Sequence, residues 1–250
     1  MSLYNIPVYY ISFNKNKKLE DNLLSVGFTN INHFNAVDGR KMIPKKLLDE
    51  KLISIRSYND LISGKRSEHS GMPSLGAVGC TLSHYELWKK CMNDLDNIII
   101  VEEDADISRK ITDEELLIIN EALSKKNGGI ISPVNVKKDK KISSVWGTQF
   151  YICSKEMCSK LVKYAFPIDV QTDSYISHLS AIKEIDLTIL SIYGQKSHKS
   201  SIQDICIKCY LPSNINFYII LCILLCIILC ILLYYSIKYF KRCSSNSMCC

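Results

Sequence analysis

The run Ile98-Ile99-Ile100-Val101-Glu102-Glu103-Asp104-Ala105-Asp106 constrains this chain most, because four β-branched residues lead directly into four acids within five positions. A short apolar run rich in Ile and Val reads as a strand covered on both faces, of the kind found in parallel sheets sheathed by helices. In open α/β sheets small molecules bind beyond the carboxyl ends of the strands, which puts these acids beside a bound ligand. Carboxylates so close repel one another, so either some keep their protons or a cation neutralises the group. A hard dication, manganese or magnesium, suits the oxygen ligands that Glu102, Glu103, Asp104 and Asp106 offer, with substrate phosphates completing its shell. The competing reading is a solvated turn after a buried strand.

The flanking segments alternate in the same manner. Residues 8–13 read as a strand, 17–26 as a helix closed by Gly27, and 31–37 as a second strand closed by the turn pair Asp38-Gly39. The Lys- and Ser-rich stretch 41–73, with Gly64 and Gly71, reads as a mobile loop around a short helix. Ser74 caps a helix over 75–92 that turns into the acid-tipped strand, and Thr112-Asp113-Glu114-Glu115 is a capping box opening the next helix. The lysine cluster 137–141 reads as a solvated loop, 149–153 as a strand, and 154–165 as a helix ended by Pro167. Strands alternating with helices predict a layered α/β domain.

The 250 residues suit one principal domain, residues 1–205, followed by a linker at 206–216. Residues 217–237 carry no charge and are almost all Ile, Leu, Cys and Tyr, long enough to cross a hydrocarbon layer about 30 Å thick. Tyr234, Tyr235, Lys238, Lys241 and Arg242 make an aromatic and basic interface, and 238–250 a short basic tail containing cysteines. The amino terminus lacks the basic and long apolar segments of a secretory signal, so the expectation is a single-pass, tail-anchored protein with its main domain in the cytosol. Abundant Ile, Lys and Asn point to an AT-rich genome, viral or cellular, which leaves the membrane open and includes that of a host or a virion. Cys80, Cys91, Cys153 and Cys158 show no pairing pattern and read as free thiols of a reducing compartment. Cys206 and Cys209 form a C-x-x-C without two obvious further ligands for zinc. The net charge of +6 sits partly in the lysine cluster and the membrane flank, which argues against a nucleic-acid partner.

Several segments together resemble glycosyltransferase family 25, which includes bacterial lipooligosaccharide and collagen galactosyltransferases. They are Phe34-Asn35-Ala36-Val37-Asp38-Gly39, Gly79-Cys80-Thr81-Leu82-Ser83-His84 with Trp88, Val101-Glu102-Glu103-Asp104-Ala105, Gly147-Thr148-Gln149-Phe150-Tyr151-Ile152, Pro167-Ile168-Asp169-Val170-Gln171-Thr172-Asp173 and Ser200-Ser201-Ile202. The resemblance implies a GT-A-like, Rossmann-type sheet flanked by helices and a nucleotide-sugar donor, a UDP-hexose. Galactose or glucose would pass, with inversion, to a glycan, lipid-linked or protein hydroxyl. It further implies a divalent metal at the acidic motif, Asp173 as catalytic base, and substrate contacts at Asp38, Gly39, Ser83, His84 and Gln149. Two departures stand out. The family commonly has Glu-Asp-Asp where this chain has Glu102-Glu103-Asp104, and an arginine near the first helix is replaced by lysines 15, 17 and 18. They motivate an alternative, a catalytically inactive relative serving as a membrane or virion interaction protein. A metal-dependent phosphohydrolase would share the acids but none of the other landmarks.

Overall fold

The Ile-rich run lies inside a six-stranded sheet, where neither of its faces meets water. The computed structural model describes residues 2–72, 74–133, 135–138, 143–195, 225–229 and 231–236, with backbone alone at 135–138 and 143–144. The strands are β1 (Val8–Ser12), β2 (Ile31–Asn35), β3 (Asn97–Glu102), β4 (Ala105–Asp106), β5 (Gly128–Ser132), β6 (Asn135–Lys138), β7 (Ser143–Trp146), β8 (Phe150–Ser154), β9 (Asp186–Ile189) and β10 (Gly194–Gln195). The helices are α1 (Lys17–Ser25), α2 (Pro44–Asp49), α3 (Ile55–Ser63), α4 (Leu75–Asp94), α5 (Asp113–Ser124), α6 (Lys155–Tyr164) and α7 (Thr172–Ala181).

The main sheet has the order β2-β1-β3-β8-β5-β9. β1 runs parallel to both β2 and β3, but β8 is antiparallel to β3 and to β5, so the sheet is mixed rather than all parallel. The reversal follows the β6–β7 hairpin, which turns the chain back before β8 enters between β3 and β5. Side chains on successive strand residues point to opposite faces, and the core divides accordingly. Val8, Tyr10, Ile99, Val101, Ile130, Phe150 and Ile152 pack on one face with Leu19 and Leu23 of α1 and Ile119 of α5. Ile98, Ile100, Ile131, Tyr151 and Cys153 pack on the other with Leu87 and Trp88 of α4, Leu161 of α6 and Ile176 of α7.

Two expectations are corrected, and one strand lies outside them. The stretch 41–73 holds two helices, α2 and α3, with a small core of their own around Leu47, Ile53 and Met72. Lys137 and Lys138 of the lysine cluster belong to strand β6, while 139–141 lie outside the described residues. The glycine pair Gly128-Gly129 opens a fully buried strand, β5, that local sequence does not announce. The capping box at Thr112 forms with both of its halves.

The chain divides into two units, residues 1–204 and 205–250. In the second, backbone at 225–229 and 231–236 is helical. Among the described residues no helix is long and apolar enough to cross a membrane. Much of the expected span 217–237 lies outside those residues, as do the linker 206–216, the tail 238–250, the Cys206–Cys209 motif and the Ser200-Ser201-Ile202 landmark.

Candidate active site

β1 sends its continuation to α1 on one side of the sheet, and β3 ends beside it, so a crevice opens past their carboxyl ends, where α/β sheets take ligands. A cavity of about 510 Å³ occupies this place, with Ser12 and Phe13 at the end of β1, Glu102, Glu103 and Asp104 at the end of β3, and Thr148 and Gln149 before β8 on its walls. The antiparallel entry of β8 is what adds the last pair, because Glu102 N donates to Gln149 O at 2.9 Å. The first turns of α4 and α7 contribute Gly76 and Ala77, and Thr172 and Asp173. Helix amino termini favour anions. Five lining carboxylates, Asp38, Glu102, Glu103, Asp104 and Asp173, face two lining cations, Lys18 and Arg40. That surplus of negative charge would repel a phosphate unless a cation accompanied it.

Glu102 is held by a buried chain of hydrogen bonds. Trp88 Nε1 donates to the Tyr151 hydroxyl at 2.9 Å, Tyr151 meets His84 Nδ1 at 2.7 Å, and His84 Nε2 meets Glu102 Oε1 at 3.2 Å. An indole N–H only donates and an ionised carboxylate only accepts, so the Tyr151 hydroxyl accepts from Trp88 and His84 donates from Nε2 to Glu102. Thr148 Oγ1 donates to the same Glu102 oxygen at 2.5 Å. Burial works against the charge of Glu102, but the hydrogen bonds of His84 and Thr148 outweigh it and hold its carboxyl below the ordinary range.

Asp104 differs. Its Oδ2 accepts from Gln195 Nε2 at 2.5 Å, a contact made when β10 pairs with β4, while Oδ1 is buried with no hydrogen-bond partner. Burial and then the charge of Glu102 push its carboxyl above the ordinary range. Glu103 between them, in the turn that joins β3 to β4, is exposed at the rim. Asp106 is exposed in β4 and is not among the lining residues. The structure thus brings Glu102 and Asp104 inward and leaves the other two acids of the expected set at or beyond the edge.

The remaining expected residues fall into two groups. Asp173 Oδ2 accepts from Gly147 N at 2.9 Å and its Oδ1 from Ser174 N at 2.6 Å, so it ties α7 to the loop before β8, where Gly147 takes a φ of +92°. Gln149 lines the cavity at 6 % exposure with Oε1 unpartnered. Asp38 accepts from Arg40 Nε at 2.7 Å, whose guanidinium lies 4.8 Å over the Phe13 ring. That hydrogen bond keeps the Asp38 carboxyl below the ordinary range. Gly39 and Ser83 also line the cavity while they and His84 serve the scaffold. A Cβ on Gly39 would stand 1.8 Å from the Leu75 carbonyl oxygen, and one on Gly79 2.4 Å from that of Val37, so the loop after β2 lies backbone to backbone on α4. Ser83 fastens it there, accepting from Val37 N at 2.9 Å and donating to Gly79 O at 2.8 Å. His84 is fully buried and is not among the lining residues.

Sequence reasoning passed over Arg40, Thr148, Tyr151 and Gln195. Arg40 directly follows the Asp38-Gly39 turn and Thr148 lies inside a motif already singled out, so both carried a local signal. Gln195 carried none, since only the pairing of β10 with β4 brings it to Asp104.

Residues 5–176 match the family model described as Glycosyltransferase family 25 (LPS biosynthesis protein). Curated proteins named "Glycosyltransferase 25 family member" align from Anopheles gambiae, at 29% identity over 75 residues, and from Drosophila melanogaster, at 29% over 91. These alignments take in 30% and 36% of this chain but only 12% and 14% of the relatives' own lengths. Mouse Xyloside xylosyltransferase 1, in its apo crystal structure, aligns over 73% of this chain and 71% of its own at 8% identity and a TM-score of 0.37, a likeness too distant to define the fold.

Proposed function

Because the chain belongs to glycosyltransferase family 25, we propose that it transfers a hexose, galactose or glucose, from a UDP-sugar to a hydroxyl of a glycan, lipid-linked or protein acceptor. A divalent cation bound by Asp104 and Glu102 assists, and the apolar stretch 217–237 holds the enzyme at a membrane. The observation that carries this reading is the buried, unpartnered Oδ1 of Asp104 in a cavity with surplus negative charge. A buried carboxylate oxygen without a donor is costly to leave so. An oxygen-only pair of carboxylates fits manganese or magnesium better than a soft ion. A cavity of about 510 Å³ has the volume of small-molecule sites.

In the transfer, the acceptor oxygen attacks the anomeric carbon as the bond from that carbon to the phosphate oxygen breaks, and the diphosphate keeps the electron pair. When bound, the cation supplies Lewis-acid stabilisation of that charge. Around it, Thr148 and His84 hold Glu102 in its ionised form, Gln195 orients Asp104, and Lys18 and Arg40 bring cationic groups to the same wall. Asp173 takes the acceptor proton, using the Oδ2 lone pair that Gly147 leaves free. The Glu103 departure from the family pattern falls on the exposed rim residue and not on the two inward acids, which favours the active over the inactive reading.

Calorimetry of UDP binding with and without Mn²⁺ tests the proposal. Asp104→Asn is expected to lower metal-dependent UDP affinity at least tenfold while leaving the melting temperature unchanged or raised. UDP binding that is indifferent to both metal and the variant would overturn it.

A further inference from the structure

A second, softer set of ligand atoms lies beside Asp104. Cys80 and His84 stand four residues apart on α4 and so share one helical face. Their ligand atoms and a carboxylate oxygen of Glu102 all lie within 4.8 Å of one another. We propose that Cys80, His84 and Glu102 form a zinc-binding site, distinct in chemistry from the oxygen-only site of Asp104, whose occupation blocks the donor cavity.

Sulfur, imidazole nitrogen and carboxylate oxygen together make a set that zinc accepts and that manganese or magnesium does not prefer. Three protein ligands leave a fourth position, and Cys80 and Glu102 both line the cavity, so an ion has a path in and a water or phosphate oxygen has a place to complete the shell. The outer shell is already present. His84 Nδ1 sits 2.7 Å from the Tyr151 hydroxyl, and Thr148 donates to Glu102, the kind of second contacts that orient metal ligands. In the bound state His84 ligates through Nε2 and carries its proton on Nδ1, donated to the Tyr151 hydroxyl oxygen, whose own proton turns away from the ring, and the Cys80 proton leaves to solvent. Asp104 and Asp173 add negative charge close by, which attracts a dication.

Glu102 belongs to both sets, so zinc and the hard cation compete for it. The zinc site stands by itself, whereas its effect on donor binding rests on the proposed function. Titrating the full-length chain with Co²⁺, as a spectroscopic stand-in for zinc, is expected to give near-ultraviolet thiolate-to-cobalt absorption at one equivalent. The band is lost in Cys80→Ser and kept in the Cys206→Ser/Cys209→Ser double variant. A band that survives Cys80→Ser, or that disappears with the double variant, overturns the site, as does no band at all. Thermal melting of Cys80→Ser and of the milder Cys80→Ala confirms that a lost band reflects a lost ligand rather than unfolding. In a separate arm, Zn²⁺ is expected to raise the Kd for Mn²⁺ and UDP at least tenfold in the wild type and not in Cys80→Ala. If Mn²⁺ does not promote UDP binding even without zinc, the donor reading fails while the cobalt result still decides the zinc site.

Discussion

At the scale of single residues, the groups that look catalytic divide between ligand-facing and scaffold roles according to where their polar atoms are spent. His84 is the clearest instance. A histidine in a run of family-like residues invites a substrate role, yet both of its nitrogens are used inside the protein, between Tyr151 and Glu102. Removing the Tyr151 hydroxyl leaves the Trp88 N–H and His84 Nδ1 without their partner. Tyr151→Phe is therefore expected to cost about 1–3 kcal/mol in urea denaturation, the penalty of stranded buried polar groups. The Gly39–Gly79 contact is similarly exacting. Gly79→Ala puts a methyl 2.4 Å from the Val37 carbonyl oxygen and is expected to destabilise by about 1–3 kcal/mol, with the loop carrying Asp38 displaced. An unchanged melting temperature in that variant would show that the backbones can part at no cost.

At the scale of elements, local chemistry is legible where it is self-contained. The Thr112 box needs only four consecutive residues, and it forms with Glu115 Oε2 accepting from Thr112 N at 2.9 Å and Thr112 Oγ1 accepting from Glu115 N at 3.2 Å. Arg109 grips the same carboxylate with two N–H groups, at 2.7 and 2.6 Å. Thr112→Ala is expected to cost about 1 kcal/mol, or roughly 2–4 °C in Tm. The hydrogen bond from Arg109 lowers the Glu115 carboxyl from 4.5 to about 2. A folded-state value below the unfolded one stabilises above the unfolded value and is lost as pH falls through the folded one. The stability gap between wild type and Glu115→Gln is expected to be full at neutral pH, to shrink from about pH 4.5 and to close near pH 2, as read from denaturation midpoints across that range. β5 shows the opposite case. Gly128-Gly129 looks like a break, but a Cβ on Gly128 would meet the Ala122 carbonyl oxygen at 1.9 Å and one on Gly129 the Met157 sulfur at 2.2 Å. The glycines are there because α5 and α6 press on the strand, which no window of the sequence reveals.

At the scale of the whole molecule, the sheet order creates the site. Inserting β8 antiparallel between β3 and β5 brings the start of one strand to the end of another, so Thr148 and Gln149 join acids some 45 positions away in the chain. Among the described residues, the three apolar cores draw all of their residues from between Leu3 and Tyr193. A chain cut after residue 204 is accordingly expected to melt within about 2–4 °C of the full-length protein, the size of a 1 kcal/mol change. Loss of cooperative unfolding on that truncation would show that the core is incomplete without the rest.

The sequence by itself determined the Ile-rich strand, its acidic end, the helix caps and the family, because each of these is written in neighbouring residues whose spacing and chemistry suffice. Tertiary structure alone decided which acids turn inward, that Gln195 and the Trp88–Tyr151–His84 chain support them, and that Cys80 stands within reach of Glu102. Those outcomes depend on strand order and helix packing, which bring together groups far apart in the chain, and no local pattern records the distances between them.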